Sequence, residues 1–412
     1  MKTLSKPAPE PSQAPVAEPQ DTGAPIQRKK HTLLRSKAVR TRRIVRMKSG
    51  VDRPFLIIVI LLLCIGTTMV FSASYAYAKH NFDGDSYYFV RRQLLWGGAS
   101  LIGMWGVSTL ISYRFLRRFT KLILGAAGIL LVLVLLIGKE VNGATRWIEL
   151  GPVQVQPSEI AKFAIVMFFA DYIERHQRDM KRFSVGVLPF LVITGRVCGL
   201  LLPEPHLSAM IIILLLTAAM MFMGGTRKAH FFTLAGLAGA GMALVMFVSD
   251  HGKSRIMNWL HPELDPTGAG WQPLQSLYAI GSGGVWGKGL GQSTQKHLWL
   301  PEPQNDYIFA VLCEEMGFVF AAAVIGLFVA LVWRGFYIAK HAPDQYSTLV
   351  VLGLILQVAI QVVLNIAVVT NTIPSTGVSL PFFSYGGSAL IIVMAEMGLI
   401  LNISRYSLIE KS

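Results

Sequence analysis

Long apolar runs separated by short polar connections dominate this chain. Stretches such as FLIIVILLLCIGTTMVFSAS, LILGAAGILLVLVLLIG and LSAMIIILLLTAAMMFMGG approach the length that crosses about 30 Å of hydrocarbon. Taken in turn, such runs predict about ten spans, starting near Phe55, Leu94, Leu122, Ser158, Val185, Leu207, His230, Tyr307, Leu349 and Ser384. The Ser158 span is atypical. PSEIAKFAIVMFFADYI is short and sets Glu159 and Lys162 three apart on one helical face, which equally suits a half-buried helix facing a polar cavity.

Composition supports a membrane solvent: 53% of residues are hydrophobic and 15% charged. The expected fold is therefore an all-α, polytopic membrane protein. Lys and Arg cluster in SYRFLRRFTK, DYIERHQRDMKRF, GGTRKAH and WRGFYIAKHAPDQY, whereas LLPEPHL and TNTIPSTGVSLPFF contain neither. Basic short loops mark the cytoplasmic side, so both termini are expected there, with RYSLIEKS, which holds the 407–412 tail, returning to the interior. Residues 249–305 then form one large extracytoplasmic loop in the transmembrane domain, 51–406, and that loop is the place to look for an activity.

The first fifty residues are a different material. A Pro/Ala-rich stretch without apolar periodicity leads into QRKKHTLLRSKAVRTRRIVRMKSG, which holds much of the formal charge of +15. The expectation is a disordered tail whose basic segment attracts anionic lipids; no aromatic residues interleave the basic ones, which argues against nucleic acid. Cys64, Cys198 and Cys313 lie in apolar runs without CxxC spacing and read as small buried hydrophobes. No P-loop, GxGxxG fingerprint or zinc-ligand spacing occurs, so no nucleotide, haem or zinc is expected, and an ATP-driven pump is disfavoured.

Four polar constellations fall on the predicted outer side. In VNGATRWIELGPVQVQPSEIAK, Asn142 and Gly143 make a turn, Arg146 and Trp147 open a short amphipathic piece, and Pro157 starts the next helix. Arg suits bidentate phosphate recognition and Trp offers an amphipathic face, although headgroup pairing and interfacial anchoring explain them as well. In the large loop, Trp259, Trp271, Trp286 and Trp299 argue for folded structure rather than a linker. Gln275 and Ser276 precede GSGGVWGKGLG, a glycine loop that would let backbone approach a ligand closely.

The third constellation is LPEPQNDYIFAVLCEEMG, with Glu302, Gln304 and Asn305 just before Asp306. Ionisable groups at membrane depth are costly unless they face a cavity or partner, which makes Asp306 the leading functional candidate; its position also allows a helix N-cap. Asp306 and Glu314 are spaced to share a helical face roughly 12 Å apart, while Glu315 points elsewhere and suits a structural pairing on a neighbouring span. In the fourth, NIAVVTNTIPSTGVSLPFFSYGGSAL, Pro374, Gly377, Pro381, Gly386 and Gly387 break helix repeatedly at membrane depth, with Asn365 and Gln361 adding amides on the preceding span. Such backbone is tolerated where it lines a cavity.

Through MVFSAS, VNGATRWIELGPVQVQPSE, GVWGKGLGQSTQK, LPEPQNDYIFAVLCEEMG and PSTGVSLPFFSYGGSAL, from Pro54 to Tyr406, the chain resembles the SEDS family of membrane peptidoglycan glycosyltransferases. Ser379 and the long N-terminal tail look more like its FtsW branch than its RodA branch; the SpoVE branch is not separated. The resemblance implies polymerisation of lipid II at the outer face of the cytoplasmic membrane, in septal wall synthesis, with Asp306 as the catalytic carboxylate. Two roles stay open for it: deprotonating the incoming sugar hydroxyl in an inverting transfer, or holding a divalent cation, Mg or Mn, beside the diphosphate. Arg146, with Lys288 or Lys296, would offset the diphosphate charge. Trp147, Glu159, Lys162, Gln275, Glu302, Asn305, Ser384, Tyr385, Gly386 and Gly387 are the further expected substrate-binding residues; Glu314, Glu315 and Asn365 are expected to be structural.

The implied partners are lipid II, a class B penicillin-binding transpeptidase, since nothing in this chain would cross-link peptides, and other divisome membrane proteins. A lipid II flippase, and a RodA-like elongation or SpoVE-like sporulation role, are the alternatives. The chain departs from the family at His206, where an aspartate is usual, which predicts pH-sensitive activity, and at Ala389, where serine is usual.

Overall fold

The computed structural model describes residues 44–46 and 50–410, apart from 142–143, 152, 205, 237–238, 240–255, 258, 266–267 and 269. The N-terminal tail through Arg43 and the Asn142–Gly143 turn lie outside the described residues, as does much of the predicted loop start.

The order of helices is α1 (Arg53–Asn81), α2 (Tyr88–Thr109), α3 (Tyr113–Arg118), α4 (Thr120–Ile137), α5 (Pro157–His176), α6 (Phe183–Gly186), α7 (Leu188–Leu201), α8 (Leu207–Met223), α9 (228–236), α10 (Trp271–Gly283), α11 (Ile308–Lys340), α12 (Gln345–Val369) and α13 (Gly387–Ser404). Every predicted span start falls on one of these helices or within three residues of it. Six described helices are long and apolar enough to cross a membrane: α1, α4, α6 with α7, α11, α12 and α13; α8 is apolar but shorter. Asp52 caps α1 by accepting from the Phe55 amide at 3.0 Å and binds the Arg334 guanidinium at 2.8 Å. Asp344 and Ser347 form a capping box at the start of α12.

The fold is all-α as expected, with short strands at two places outside the helices. Residues around Arg146 form an antiparallel ribbon, β2 (Lys139–Val141), β3 (Ala144–Leu150) and β4 (Val153–Val155), with Ile148 opposite Val155. Two further short strands, β1 (Ile44–Arg46) and β5 (Leu408–Glu410), pair antiparallel. The cysteine reading needs a correction: Cys198 and Cys313 are buried, but Cys64 is exposed on α1.

Helix α5 lies at the hub, packed by α4, α8 and α12. Its charged residues Glu159, Lys162 and Asp171 are all buried in protein, which is why a helix of modest hydropathy survives at this depth. Helices α2 and α13 cross so closely that a Cβ on Gly398 would lie 2.6 Å from the Met104 carbonyl oxygen.

Helix α11 is broken at Gly317, whose φ of 74° and ψ of −179° belong to a region that is essentially glycine's alone. The break orphans two amides and two carbonyls, and the glycine-rich loop after α10 supplies partners for all four. Phe318 and Val319 amides donate to the Gly284 and Val285 carbonyls at 3.0 and 3.2 Å; Lys288 and Gly289 amides donate to the Glu314 and Glu315 carbonyls at 3.0 and 2.8 Å. The loop's close backbone approach is thus to a helix, not to a ligand.

Candidate functional site

The break in α11 turns both of its glutamates toward that loop. Glu314 accepts from Lys288 Nζ at 2.6 Å, Ser293 Oγ at 2.5 Å and the Thr294 amide at 3.0 Å. Glu315, wholly buried, accepts from Lys296 Nζ at 2.8 Å and from Ser72 Oγ at 2.6 Å. The substrate roles expected for Lys288 and Lys296 are therefore corrected, because each ammonium is spent on a buried carboxylate that pins the loop. Gln275 is buried on α10 and lines no part of the cavity described next. Asp306 and Glu314 do not share a helical face either: α11 begins only at Ile308, with Tyr307 as its N-cap residue, so Asp306 sits in the preceding turn and is not the cap.

At the other end of that turn lies a cavity of about 570 Å³. Asp306 opens into it together with Arg146 and Trp147 from the β-ribbon, Glu159 and Lys162 from the first turns of α5, Glu302 and Asn305 from the loop before α11, and Ser384, Tyr385, Gly386 and Gly387 from the segment before α13. Residues scattered over some 240 positions of sequence converge because each follows or precedes a helix end on the same side of the bundle.

The walls are cross-braced through the irregular backbone. Asn365 Nδ2 donates to the carbonyls of Asp306 and Val378, both at 2.7 Å. Ser384 Oγ donates to the Asn305 carbonyl at 2.9 Å, and the Tyr385 amide to the Gln304 carbonyl at 2.9 Å. Ser208 Oγ, at the start of α8, reaches the carbonyls of Thr376 and Gly377. Gly377 has φ 71° and a Cβ there would sit 3.1 Å from Asp306 Oδ2, so a glycine keeps the carboxylate's approach open. Asp306 is thereby held by its backbone, and its carboxylate accepts no hydrogen bond from the described residues.

Electrostatics set the character of the site. Desolvation and the negative charge of Glu302 raise the Asp306 carboxyl to about 6, against the opposing pull of Arg146. Lys162, 1% exposed, bonds Glu159 at 2.8 Å. Arg146 Nε reaches the Glu204 carbonyl at 3.5 Å. His206, 7% exposed, faces Gln156 Nε2 across 3.2 Å. Burial and the cations Arg146 and Lys162 push its imidazole down to about 3, so the protein's own groups keep it neutral in the physiological range, away from the expected titration near neutrality.

Residues 53–408 match the FtsW/RodA/SpoVE family, described as cell cycle proteins. The chain belongs to that family. It is 42% identical over 362 residues to stage V sporulation protein E of Bacillus subtilis (strain 168), covering 87% of this chain and 98% of that protein. It is 41% identical over 361 residues to a probable peptidoglycan glycosyltransferase FtsW of Trichlorobacter lovleyi, covering 86% and 93%. Among solved structures it resembles a chain of "Structural coordination of polymerization and crosslinking by a peptidoglycan synthase complex", with TM-score 0.72, 27% identity, and coverage of 86% and 98%. It also resembles the rod shape determining protein RodA of Thermus thermophilus, with TM-score 0.65, 29% identity, and coverage of 86% and 97%.

Within this FtsW/RodA/SpoVE fold the cavity has further members that sequence reasoning passed over. Arg92 of α2 lines it, stands 4.4 Å over the Tyr88 ring and hydrogen-bonds Tyr385. The available signal was a pair of arginines, Arg91 and Arg92, at an outer helix end where the positive-inside bias disfavours them. Glu149 of β3 also lines the cavity. Deeper in the bundle, Glu396 of α13 is buried and accepts from Gln357 Nε2 at 2.9 Å, a polar contact that its long apolar run conceals.

Proposed function

We propose that this chain is a peptidoglycan glycosyltransferase that polymerises lipid II at the outer face of the cytoplasmic membrane, in septal wall synthesis. The observation that carries the reading is Asp306: an unbonded carboxylate, braced by backbone, opening into a polar cavity that also presents Arg92 and Arg146. Family membership and the relatives named as glycosyltransferases support it.

The chemistry follows from the parts. Displacing a lipid diphosphate with inversion requires a base for the incoming sugar hydroxyl and counter-charge for the leaving group. A carboxylate raised to about 6 is ionised at neutral pH yet more basic than an ordinary aspartate, which suits the first task. Arg146 on the ribbon and Arg92 on α2 flank the cavity from separate elements and suit the second. Trp147 and Tyr385 offer faces to sugar rings.

Among the described residues no three His, Cys, Asp or Glu side chains cluster as a metal site. Asp306 and Glu302 do face one cavity, and two carboxylates fit a Mg or Mn ion that completes its shell from water and substrate phosphate. Such an ion would supply positive charge to the leaving diphosphate; Asn305 Nδ2, bonded to Glu302 Oε2 at 2.7 Å, holds that carboxylate in place.

The similarity to a chain of a complex coordinating polymerisation and cross-linking supports a class B transpeptidase partner. The test is lipid II polymerisation by purified protein, with and without divalent ions and a co-expressed transpeptidase. Asp306→Asn is expected to lower the rate at least ~100-fold while leaving a folded, membrane-inserted protein. Lipid movement across vesicles without any polymer would sink the enzyme reading in favour of a transporter.

A further inference from the structure

The ionisable side chains of the cavity wall are nearly balanced. Arg92, Arg146 and Lys162 bring positive charge; Glu149, Glu159, Glu302 and Asp306 bring negative charge. A diphosphate diester carries two negative charges whatever the pH near neutrality, so it enters a site with no net countercharge. A proton or a cation must accompany it.

His206 is placed to take that proton. It lines the cavity yet is 93% buried by its 7% exposure, and its Nδ1 has no hydrogen-bond partner among the described residues. Its Nε2 meets the side-chain amide of Gln156, which also lines the cavity. An amide serves either protonation state: with its nitrogen turned to Nε2 it donates to the neutral ring, and with its oxygen turned there it accepts from the imidazolium. No backbone movement is needed.

The groups facing His206 explain both states. Arg146 from β3 and Lys162 from α5 repel a proton, while the carboxyls of Glu159, Glu302 and Asp306 share its cavity, and Glu204, two residues before it, has its own carboxyl pushed up to about 7 by burial. Among the protein's own groups, burial and the two cations prevail. Each substrate charge arriving about 4 Å from the ring raises its proton affinity on the order of a thousand-fold at an effective dielectric of 20. Two such charges suffice to reverse the balance.

We propose that His206 is a substrate-positioning residue that is neutral in the free protein and becomes protonated, with Gln156 turning its amide, when the lipid-linked diphosphate binds. The proposal rests on the glycosyltransferase reading above. It adds a fourth positive charge to the three of Arg92, Arg146 and Lys162, available only while the diphosphate is present and withdrawn when it leaves.

The test uses the full chain carrying Asp306→Asn, which prevents turnover and removes that carboxyl's own titration. The ligand is a lipid II analogue with a short prenyl chain, whose diester phosphates do not titrate near neutrality. Calorimetric titrations in buffers of different ionisation enthalpy, with and without Mg, give the protons taken up on binding. Asp306→Asn protein is expected to take up a substantial fraction of one proton near pH 7, and the same protein with His206→Gln to bind while taking up none. A second measurement needs no change at 206: the analogue should bind more tightly as pH falls from about 8 to about 6, by up to tenfold per unit. Equal uptake with and without His206, or binding with no uptake and no pH dependence, would overturn the proposal alone. Absence of any binding by both the parent and the Asp306→Asn protein would overturn the glycosyltransferase reading, and this inference with it.

Discussion

Asp306 works against its own comfort. Its ionised form is disfavoured by desolvation and by Glu302, so between the ordinary aspartate value and about 6 the folded state prefers the protonated carboxyl. The sign for stability follows: ionisation at neutral pH opposes folding, and Asp306→Asn is expected to melt no lower than the parent in detergent although it is inactive. For activity the sign is the opposite, because the base must be ionised; the turnover rate at saturating lipid II should fall about tenfold per pH unit below about 6. Glu302→Gln removes a charge that raises the Asp306 carboxyl, so the acid limb should move to lower pH, and an unmoved limb would mean that Glu302 does not act on this group. At this scale the sequence was informative where chemistry is expensive: a carboxylate at membrane depth, an arginine beside a tryptophan, helix breakers in an apolar run. Lys288 and Lys296 looked like phosphate ligands from their loop, and only the fold shows each committed to a glutamate. Arg92 was legible only as half of an arginine pair at an outer helix end.

At the scale of elements, the join between α11 and the glycine loop bears on the site, because Asp306 is two residues from the start of a helix whose break at Gly317 is bridged by that loop. Lys296 and Glu315 are 3% and 0% exposed in their side chains, so removing one partner strands a buried charge. Lys296→Met is expected to cost about 3–5 kcal/mol, and pairing it with Glu315→Gln to recover most of that loss. Thermal unfolding of the single and double variants measures the coupling; additive losses would show that the two groups act independently. The helices were legible because an apolar run of membrane length has few alternatives. The ribbon β2–β4 was not recognised, although Val153, Gln154, Val155 and Gln156 alternate with the period of a strand, because a short polar stretch between two long helices gives alternation little weight against its surroundings. The break at Gly317 was invisible for a different reason: its compensation comes from residues some thirty positions earlier, and no local pattern encodes it.

For the molecule as a whole, the two ends of the bundle differ in chemistry. One end gathers the ribbon, the turn before α8, the loop before α11 and the segment before α13 around the cavity. The other carries two ion pairs and a hydrogen bond that tie elements together: Asp52 to Arg334 at 2.8 Å, Arg117 to Asp171 at 2.9 Å, and Tyr113 Oη donating to Asp344 at 2.7 Å. The basic connections identified from sequence alone fall at this second end, where α4, α6 and α12 begin and α5 and α11 finish. Lys and Arg are retained on the cytoplasmic side during insertion, so the cavity end should face outward, where a polymer of the cell wall is needed. Thiol labelling decides it. In a chain with Cys64, Cys198 and Cys313 replaced by Ala, a cysteine at the exposed His297 should react with a membrane-impermeant maleimide on intact cells, and one at the exposed Arg178 only after permeabilisation. The reverse pattern would put Asp306 on the cytoplasmic face, where no glycan strand is assembled, and would leave the cavity without its proposed substrate.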